Sequence, residues 1–205
     1  MDFENENVKN IYSKISNHFS NTRYYKWYWV EDFLNKFKSG CSILDIGCGN
    51  GRNMERENIN IIGIDNCLEF INICKKKNQN VILADMCDLP FKNYTFNGIM
   101  LIASFHHLST RQRRNQCLKE IKRVLMNGGK CLISVWSKNQ PKKTKRVFDN
   151  FGDNYVEWKS NNKIYNRYYY IFKLEEIKKL ISLCGLEIVK SEFNCGNEIF
   201  TLIKV

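Results

Sequence analysis

The sequence predicts an α/β fold, with a doubly wound, mostly parallel sheet of seven strands that ends in an antiparallel C-terminal hairpin. Short apolar runs alternate with segments of helical periodicity, which is typical of parallel strands joined by helices. The first run ends in a glycine-rich loop, and the second and third each end in an aspartate. The last two runs are separated by Asn194-Cys195-Gly196-Asn197, a turn that is typical of hairpins.

The composition indicates one globular domain that attracts polyanions. The 205 residues, 43% of them hydrophobic, suffice for one well-filled core, so we expect a single domain over residues 1–205. The formal net charge of +11 favours nucleic acid as a partner, with a membrane surface second. No apolar stretch approaches the length of a membrane span.

The nine cysteines are odd in number and include no C-x-x-C pair, which indicates a reducing compartment. Most lie in apolar runs, so we interpret them as buried structural thiols rather than as zinc ligands or disulfides. The acidic N-terminus lacks the pattern of a signal or transit peptide. We therefore expect a cytoplasmic protein, with the nucleus as a second location.

Residues 1–40 precede the first strand, and their apolar side chains recur at the spacing of two helices. The polar and aromatic stretch between these helices, from His18 to Tyr24, includes Arg23. We expect the segment to cover the mouth of a cofactor site. An ordinary inter-helix loop is the alternative.

The first strand leads into three glycines at alternate positions, which are Gly47, Gly49 and Gly51. Glycine allows dihedrals that other residues avoid and lets a ligand approach the backbone. The spacing differs from the G-x-G-x-x-G of dinucleotide sites, and Asp45 at the strand end is a buried carboxylate that needs a partner. A cofactor without phosphates fits better, and S-adenosylmethionine is the candidate, whereas an ordinary glycine-rich turn is the alternative. A brief helical turn from Arg52 is expected next.

Aspartates end the second and third predicted strands, Asn60–Asp65 and Val81–Asp85. A carboxylate at Asp65 can accept both hydroxyls of a ribose, with a helix N-cap as a compatible alternative. Asp85 can accept a hydrogen bond from an adenine amino group. Ligands of such sheets bind beyond the carboxyl ends of the strands, so neighbouring residues complete the site. The predicted cofactor-binding set is Asp45, Gly47, Cys48, Gly49, Asn50, Asp65, Asn66, Asp85, Met86 and Ala103. No metal site is predicted.

The second half of the chain continues this alternation. We predict a strand over Phe96–Ser104, a helix over Thr110–Leu125 and a strand over Lys130–Trp136. Residues 137–170 form a basic and aromatic insertion, which fits either single-stranded nucleic acid or a solvated loop with an aromatic anchor. Its basic residues include Lys138, Lys142, Lys143, Lys145 and Arg146. The remaining predicted elements are a helix over Leu174–Cys184 and strands over Leu186–Phe193 and Glu198–Val205.

Six segments, spread over nearly the whole chain, carry a family resemblance. They are His18–Tyr24, Leu44–Gly51, Ala84-Asp85 with Leu89-Pro90, His106-His107 with Ser109–Arg114, Val135-Trp136, and Arg167–Tyr169 with Phe172. In these segments the chain resembles the eukaryotic tRNA wobble-uridine (5-carboxymethyluridine) methyltransferases, which belong to the Rossmann-like, class I S-adenosylmethionine-dependent superfamily. It departs from the family pattern in lacking prolines around Trp27 and in carrying Tyr170 where a histidine is common.

The resemblance implies transfer of a methyl group to the carboxylate of 5-carboxymethyluridine at the tRNA wobble position. The catalytic candidates that it implies are His18, Arg23, His106, Trp136, Arg167 and Tyr169. The first three are candidates for holding the carboxylate, and Trp136 is expected to lie half in the core and half in the pocket wall. Of His106 and His107 we expect one structural and one functional residue. Arg111, Arg113 and Arg114 are either a solvated helix face or contacts to tRNA phosphates.

The resemblance also implies two partners. One is the tRNA anticodon loop, and the other is a small zinc-binding activator subunit that pairs with an exposed sheet edge, here Val81–Ala84. Two alternatives stay open. They are a small-molecule carboxyl or O-methyltransferase of the same fold, which the net charge disfavours, and a non-catalytic RNA-binding protein, which the intact glycines and aspartates disfavour.

Overall fold

The computed structural model describes residues 2–144, 146–160 and 162–204 of the chain. Lys145, in the basic segment, and Val205, the predicted end of the last strand, lie outside these ranges. The side chain of Lys143 is likewise not described.

Nine strands occur within the described ranges. They are β1 (Ser42–Ile46), β2 (Asn60–Asp65), β3 (Val81–Leu83), β4 (Phe96–Ile102), β5 (Leu125–Trp136), β6 (Gly152–Ser160), β7 (Lys163–Ile171), β8 (Glu187–Asn194) and β9 (Asn197–Ile203). Seven of them form one sheet in the order β3-β2-β1-β4-β5-β9-β8. The first five run parallel, whereas β9 is antiparallel to both β5 and β8. The predicted mostly parallel sheet with an antiparallel C-terminal hairpin is confirmed.

Helices cover both faces of this sheet. They are α1 (Asp2–Glu4), α2 (Asn10–Asn21), α3 (Tyr28–Leu34), α4 (Leu68–Lys76), α5 (Arg111–Val124) and α6 (Leu174–Leu183), and a π-helical segment, Asn5–Lys9, joins α1 to α2. Apolar side chains of α5 and α6 pack on one face of the sheet, and those of α3 and α4 pack on the other. Among the described residues, no helix combines the length and the apolar character that crossing a bilayer requires.

The connection from β1 to β2 differs from the prediction. Turns follow the glycine loop, so the expected helical turn from Arg52 is wrong. Side chains of the next crossover hold this connection instead, because Lys77 Nζ donates to Asn50 O at 2.7 Å and Gln79 Nε2 donates to Gly51 O at 2.8 Å. The loop is thus fixed without helical hydrogen bonds.

The basic and aromatic insertion contains a hairpin of its own. Strands β6 and β7 pair antiparallel and stand apart from the main sheet, so the predicted solvated loop is wrong for these residues. Phe148 and the β7 residues Tyr169 and Ile171 are buried and pack with Trp136 and with Val156 of β6. This small core fixes β7 beside the carboxyl end of β5.

Candidate active site

A cleft opens at the carboxyl ends of the first four strands, where the prediction located the cofactor. It is partly open to solvent and is lined by residues that follow each of these four strands. Nine of the ten predicted cofactor-binding residues line it, and they are Gly47, Cys48, Gly49, Asn50, Asp65, Asn66, Asp85, Met86 and Ala103. The N-terminal helical segment lies across the cleft through Glu4, Val8, Tyr12 and Phe19. By contrast, α3 packs on the sheet face and does not line the cleft.

All three glycines of the loop have left-handed backbones, and Gly47 and Gly49 illustrate two different reasons for a glycine. Gly47 has φ +67°, and a Cβ there would lie 2.6 Å from Ser104 Cβ, so the loop contacts the end of β4 only because that atom is missing. Gly49 has φ +55°, and a Cβ there would meet no atom within 4 Å. Its backbone therefore faces open space in the cleft that a ligand can occupy.

Asp65 stabilises the loop and still has acceptor capacity for a ligand. Its Oδ2 accepts from Gly49 N and its Oδ1 from Cys67 N, both at 2.9 Å. Cys67 occupies the N-cap of α4, so the N-cap alternative for Asp65 is wrong. Burial raises the pKa of Asp65 to about 6, although these N–H groups oppose the shift. Each oxygen keeps a lone pair that can accept a ribose hydroxyl.

Asp85 belongs to an ion-pair chain that the sequence did not reveal. Arg113 Nη2 donates to both carboxylate oxygens of Asp85, at 3.0 and 2.8 Å, and Arg113 Nε donates to Glu4 Oε2 at 2.7 Å. Glu4 Oε1 also accepts from Ser109 N at 2.7 Å. These bonds attach the N-terminal helical segment to the wall of the cleft.

The same contacts correct the interpretation of the basic helix. Arg113 is neither a solvated residue nor a phosphate contact, because it is paired with two carboxylates. Arg114 is buried, its guanidinium carbon lies 3.4 Å from the ring centroid of Tyr170, and its Nε donates to Leu108 O. Only Arg111, of the three arginines, has an exposed side chain.

Asp45, the tenth predicted cofactor residue, lies behind the glycine loop and does not line the cleft. It is 1% exposed, and its Oδ2 has no hydrogen-bond partner. Burial raises its pKa to about 7, whereas nearby Arg52 favours the ionised form. The guanidinium carbon of Arg52 itself lies 4.2 Å from the ring centroid of Trp27. A buried carboxylate with an unused oxygen is suited to a cationic ligand nearby.

These residues fit S-adenosylmethionine. Asp65 and Asp85 offer acceptors for hydroxyl and amino groups, and the loop leaves open space at Gly49. Ala103 has φ +52°, a strained value for a residue with a Cβ, and its backbone N–H donates to Ser134 O at 3.0 Å. Strain of this kind clusters at ligand sites.

A second cluster adjoins the cleft and contains most of the predicted catalytic residues. Its link to the cleft is His107, whose Nδ1 contacts Tyr168 O at 2.8 Å and whose Nε2 contacts Tyr12 Oη at 3.1 Å. A backbone carbonyl only accepts, so Nδ1 carries the proton and Nε2 accepts from Tyr12. Tyr12 Oη in turn lies 3.1 Å from Tyr169 Oη. Burial lowers the pKa of His107 to about 3, so the ring is neutral.

His106 takes the opposite tautomer. Its Nδ1 accepts from Trp136 N at 3.0 Å, so the proton is on Nε2, which has no partner. Burial lowers the pKa of His106 well below its ordinary value. The half-buried Trp136 stacks on Tyr169 with a ring separation of 4.2 Å and an angle of 7°. These rings form an apolar wall with one unused N–H donor behind it.

Three guanidinium groups converge on this wall, from Arg23, Arg146 and Arg167. Their carbon atoms lie 5.4 Å from Trp158, 4.1 Å from Trp136 and 4.8 Å from Trp158, respectively, measured to ring centroids. In the described part of the chain none of the three forms an ion pair with a carboxylate, and the buried Nε of Arg167 has no partner. Burial lowers the pKa of Arg23, and the charge of Arg167 lowers it further. Uncompensated positive charge of this kind favours an anionic ligand.

His18 lies at the rim of this cluster. It is exposed, and its Nδ1 accepts from Trp158 Nε1 at 3.2 Å. Trp158 also contacts Phe19, so it joins the hairpin to α2. The six predicted catalytic residues are therefore close to one another and beside the cofactor cleft rather than within it.

Sequence reasoning missed Tyr12 and did not single out Arg146. Tyr12 is seven residues from Phe19, which locates both aromatic rings on one face of α2, and that spacing was the available signal. No local signal distinguished Arg146 from the other basic residues around it.

Comparisons with known proteins agree with this geometry. A family model described as a methyltransferase domain matches residues 44–133. A tRNA (carboxymethyluridine(34)-5-O)-methyltransferase of Schizosaccharomyces pombe is 34% identical, and the alignment covers 96% of each chain. The Arabidopsis thaliana enzyme of the same name is 40% identical over 68% of this chain, which corresponds to only 35% of that longer protein.

Solved structures share the fold. The [4+2]-cyclase SpnF superposes with a TM-score of 0.72 at 15% identity, covering 96% of this chain and 94% of that one. A putative methyltransferase from Haloferax volcanii, in complex with the Trm112 methyltransferase activator, superposes with a TM-score of 0.67 at 13% identity and covers 96% of both chains. Because the S. pombe relative matches nearly end to end, the chain belongs to the tRNA (carboxymethyluridine(34)-5-O)-methyltransferase family of S-adenosylmethionine-dependent enzymes.

Proposed function

We propose that this chain methylates the carboxylate of 5-carboxymethyluridine at the wobble position of tRNA and produces the methyl ester. The observation that carries the proposal is the convergence of Arg23, Arg146 and Arg167 beside the cofactor cleft, without a carboxylate partner among the described residues. Such a site is suited to an acceptor that is itself a carboxylate. The S. pombe relative, similar over nearly its whole length, is named for this acceptor.

The chemistry requires little proton transfer from the protein. A carboxylate is already ionised at neutral pH, so no general base is needed. S-adenosylmethionine supplies an electrophilic methyl group on a sulfonium. The neutral His106 and His107 match this requirement, since neither is set up to take a proton from the acceptor.

The contribution of the chain is to bind and orient the acceptor. The arginines hold the carboxylate, whereas the fully buried His106 positions Trp136 by accepting from its backbone N–H. Trp136 and Tyr169 form an apolar wall that excludes water from the attacking oxygen. Alignment of this kind supplies most of the acceleration in a reaction between two held groups. Methylation removes the negative charge, so the ester product loses its attraction to the arginines.

An activator subunit is part of the proposal. Strand β3 is an edge of the sheet, and its Ile82 and Leu83 are 36% and 49% exposed. We propose that a small zinc-binding activator pairs with this edge, as the resemblance implies and in keeping with the activator complex of the H. volcanii structure. Leu83→Lys should abolish co-purification with the activator, whereas Val189→Lys, on the opposite edge strand, should not.

The remaining expectations concern RNA and location. The net charge of +11 supports binding of the tRNA anticodon loop. Nine free cysteines fit a reducing compartment such as the cytoplasm.

Methyl transfer from labelled S-adenosylmethionine to total tRNA tests the function, with the full chain and an activator subunit present. A label that mild base removes supports the ester, and a base-stable label contradicts it. Label on small carboxylic acids but not on tRNA favours the small-molecule alternative, and RNA binding without cofactor binding favours the non-catalytic one.

Arg146→Met tests the acceptor site directly. It should lower methyl transfer by at least about tenfold, because one charge-assisted contact contributes about 1.5–3 kcal/mol. Arg111→Met removes an exposed arginine elsewhere and serves as the matched control. Equal activity of the two variants would contradict the assignment of Arg146.

A further inference from the structure

Two neighbouring tyrosines stand out on the surface beside the acceptor arginines. Tyr24 and Tyr25 are 65% and 80% exposed, and their ring centroids are 4.6 Å apart. Within the described residues, neither hydroxyl makes a hydrogen bond to the protein. Exposed aromatic rings that do not stabilise the fold indicate a contact with another molecule.

The segment that carries these rings is fixed at both ends. Asn50 Nδ2 donates to Arg23 O at 2.7 Å, which ties the segment to the glycine loop. On the other side, Lys26 Nζ donates to Glu55 O at 3.0 Å, and Trp27 stacks on a neighbouring tryptophan at 5.1 Å. The rings are therefore presented by an anchored backbone rather than by a free loop.

Their position follows from their neighbour in the chain. Arg23 directly precedes Tyr24, and its guanidinium contacts Phe19 and Trp158 at the mouth of the acceptor cluster. The two rings are carried by the next two residues of the same anchored backbone, one and two positions after Arg23.

We propose that Tyr24 and Tyr25 form a stacking platform for a nucleotide that flanks the methyl acceptor in a single-stranded RNA loop. This inference rests on the proposed function. A base that enters an enzyme pocket leaves its neighbours without a stacking partner, and aromatic side chains replace that partner. The overall positive charge suits the RNA backbone. The same net charge favours a nucleic acid over a protein as the partner, and a protein contact is an outcome that the test distinguishes.

Fluorescence of 2-aminopurine tests the platform. The probe is located next to the target uridine in an anticodon stem-loop and titrated with the full chain, in the presence of S-adenosylhomocysteine and the activator. Stacking on tyrosine should quench the probe. The double variant Tyr24→Ala/Tyr25→Ala should lose the quenching and bind the stem-loop about tenfold more weakly, whereas Tyr24→Phe/Tyr25→Phe should restore both.

Two controls separate this inference from other causes. Cofactor affinity of the alanine variant, measured by calorimetry, should equal that of the wild type, and Leu183→Ala removes a remote exposed side chain, 66% exposed, for comparison. Quenching that persists in the alanine variant, or that is absent from the wild type, overturns the platform. An alanine variant that keeps RNA affinity but loses the activator assigns the tyrosines to a protein contact and also overturns it. If the wild type places no base-labile methyl group on tRNA, the proposed function fails, whatever the quenching shows.

Discussion

Replacing Gly47 by alanine tests how the glycine loop meets the end of β4. The new Cβ would lie 2.6 Å from Ser104 Cβ and 2.7 Å from Ser104 Oγ. Ser104 Oγ donates to Ile46 O at 3.1 Å, so a shift of this side chain also loses a buried hydrogen bond. The substitution therefore combines backbone strain with overpacking.

The expected cost follows from these parts. A left-handed backbone costs an L-residue about 1–2 kcal/mol, overpacking costs about 1–3 kcal/mol, and the displaced hydrogen bond adds about 1 kcal/mol. Gly47→Ala should lower the free energy of unfolding by about 3–6 kcal/mol. Gly128 has φ +70°, and a Cβ added there would meet no atom within 4 Å, so Gly128→Ala measures the backbone strain alone, at about 1–2 kcal/mol.

Urea denaturation of the two variants measures this difference in the free energy of unfolding. If Gly47→Ala costs no more than Gly128→Ala, the contact with Ser104 does not require glycine, and the reasoning fails. Gly49→Ala completes the series. Because its Cβ meets no protein atom, it should cost only the strain but weaken cofactor binding in calorimetry.

Three further predictions address other parts of the chain. The pKa of Asp45 is about 7 in the folded chain, against an ordinary value of 3.8, so the folded chain retains a proton that the unfolded chain releases. The free energy of unfolding should therefore fall by up to about 4 kcal/mol as the pH rises from 3.8 towards 7. Asp45→Asn should abolish this fall in urea titrations at different pH values, and a fall of unchanged size would contradict the pKa shift. Lys204→Met should lower the free energy of unfolding by about 2–3 kcal/mol, because the buried ammonium donates to two carbonyls at the end of α5. Lys190→Met, at an exposed position, should lower it by less than about 0.5 kcal/mol, and thermal unfolding of both variants measures the difference. Glu4→Gln should weaken cofactor binding about three- to tenfold, because it weakens the ion pair with Arg113 that attaches the N-terminal helical segment to the cleft. Glu6→Gln, which changes an exposed side chain, is the control. Equal cofactor affinity of the two variants would show that cofactor binding does not depend on the Glu4–Arg113 ion pair.

Nine of the ten residues predicted to bind the cofactor line one cleft, because they follow strands whose carboxyl ends share one edge of the sheet. Asp65 and Asp85 each end a predicted strand, so their position at this edge could be predicted without knowing any contact to distant residues. The contacts of the Arg113 and Arg114 side chains could not be predicted in the same way. Successive helical residues point about 100° apart, and what each meets depends on Glu4 and Tyr170, far away in the chain.

The hairpin of β6 and β7 was missed for a related reason. Only Val156 and Trp158 supply large apolar side chains to the inner face of β6, while charged residues alternate with them. Two such residues give too short a period-2 pattern to distinguish a strand from a polar loop. The pairing with β7, which carries the buried Arg167 and Tyr169, decides the structure.

The attachment of Glu4 to Ser109 and Arg113 has a consequence for the order of folding during synthesis. The helical segment is translated before its partners, which follow 105 and 109 residues later. At ribosomal rates of about 5–20 residues per second, it waits about 5–20 s for them. A nascent chain that has not yet reached Arg113 therefore lacks the contacts that attach this segment to the wall of the cofactor cleft.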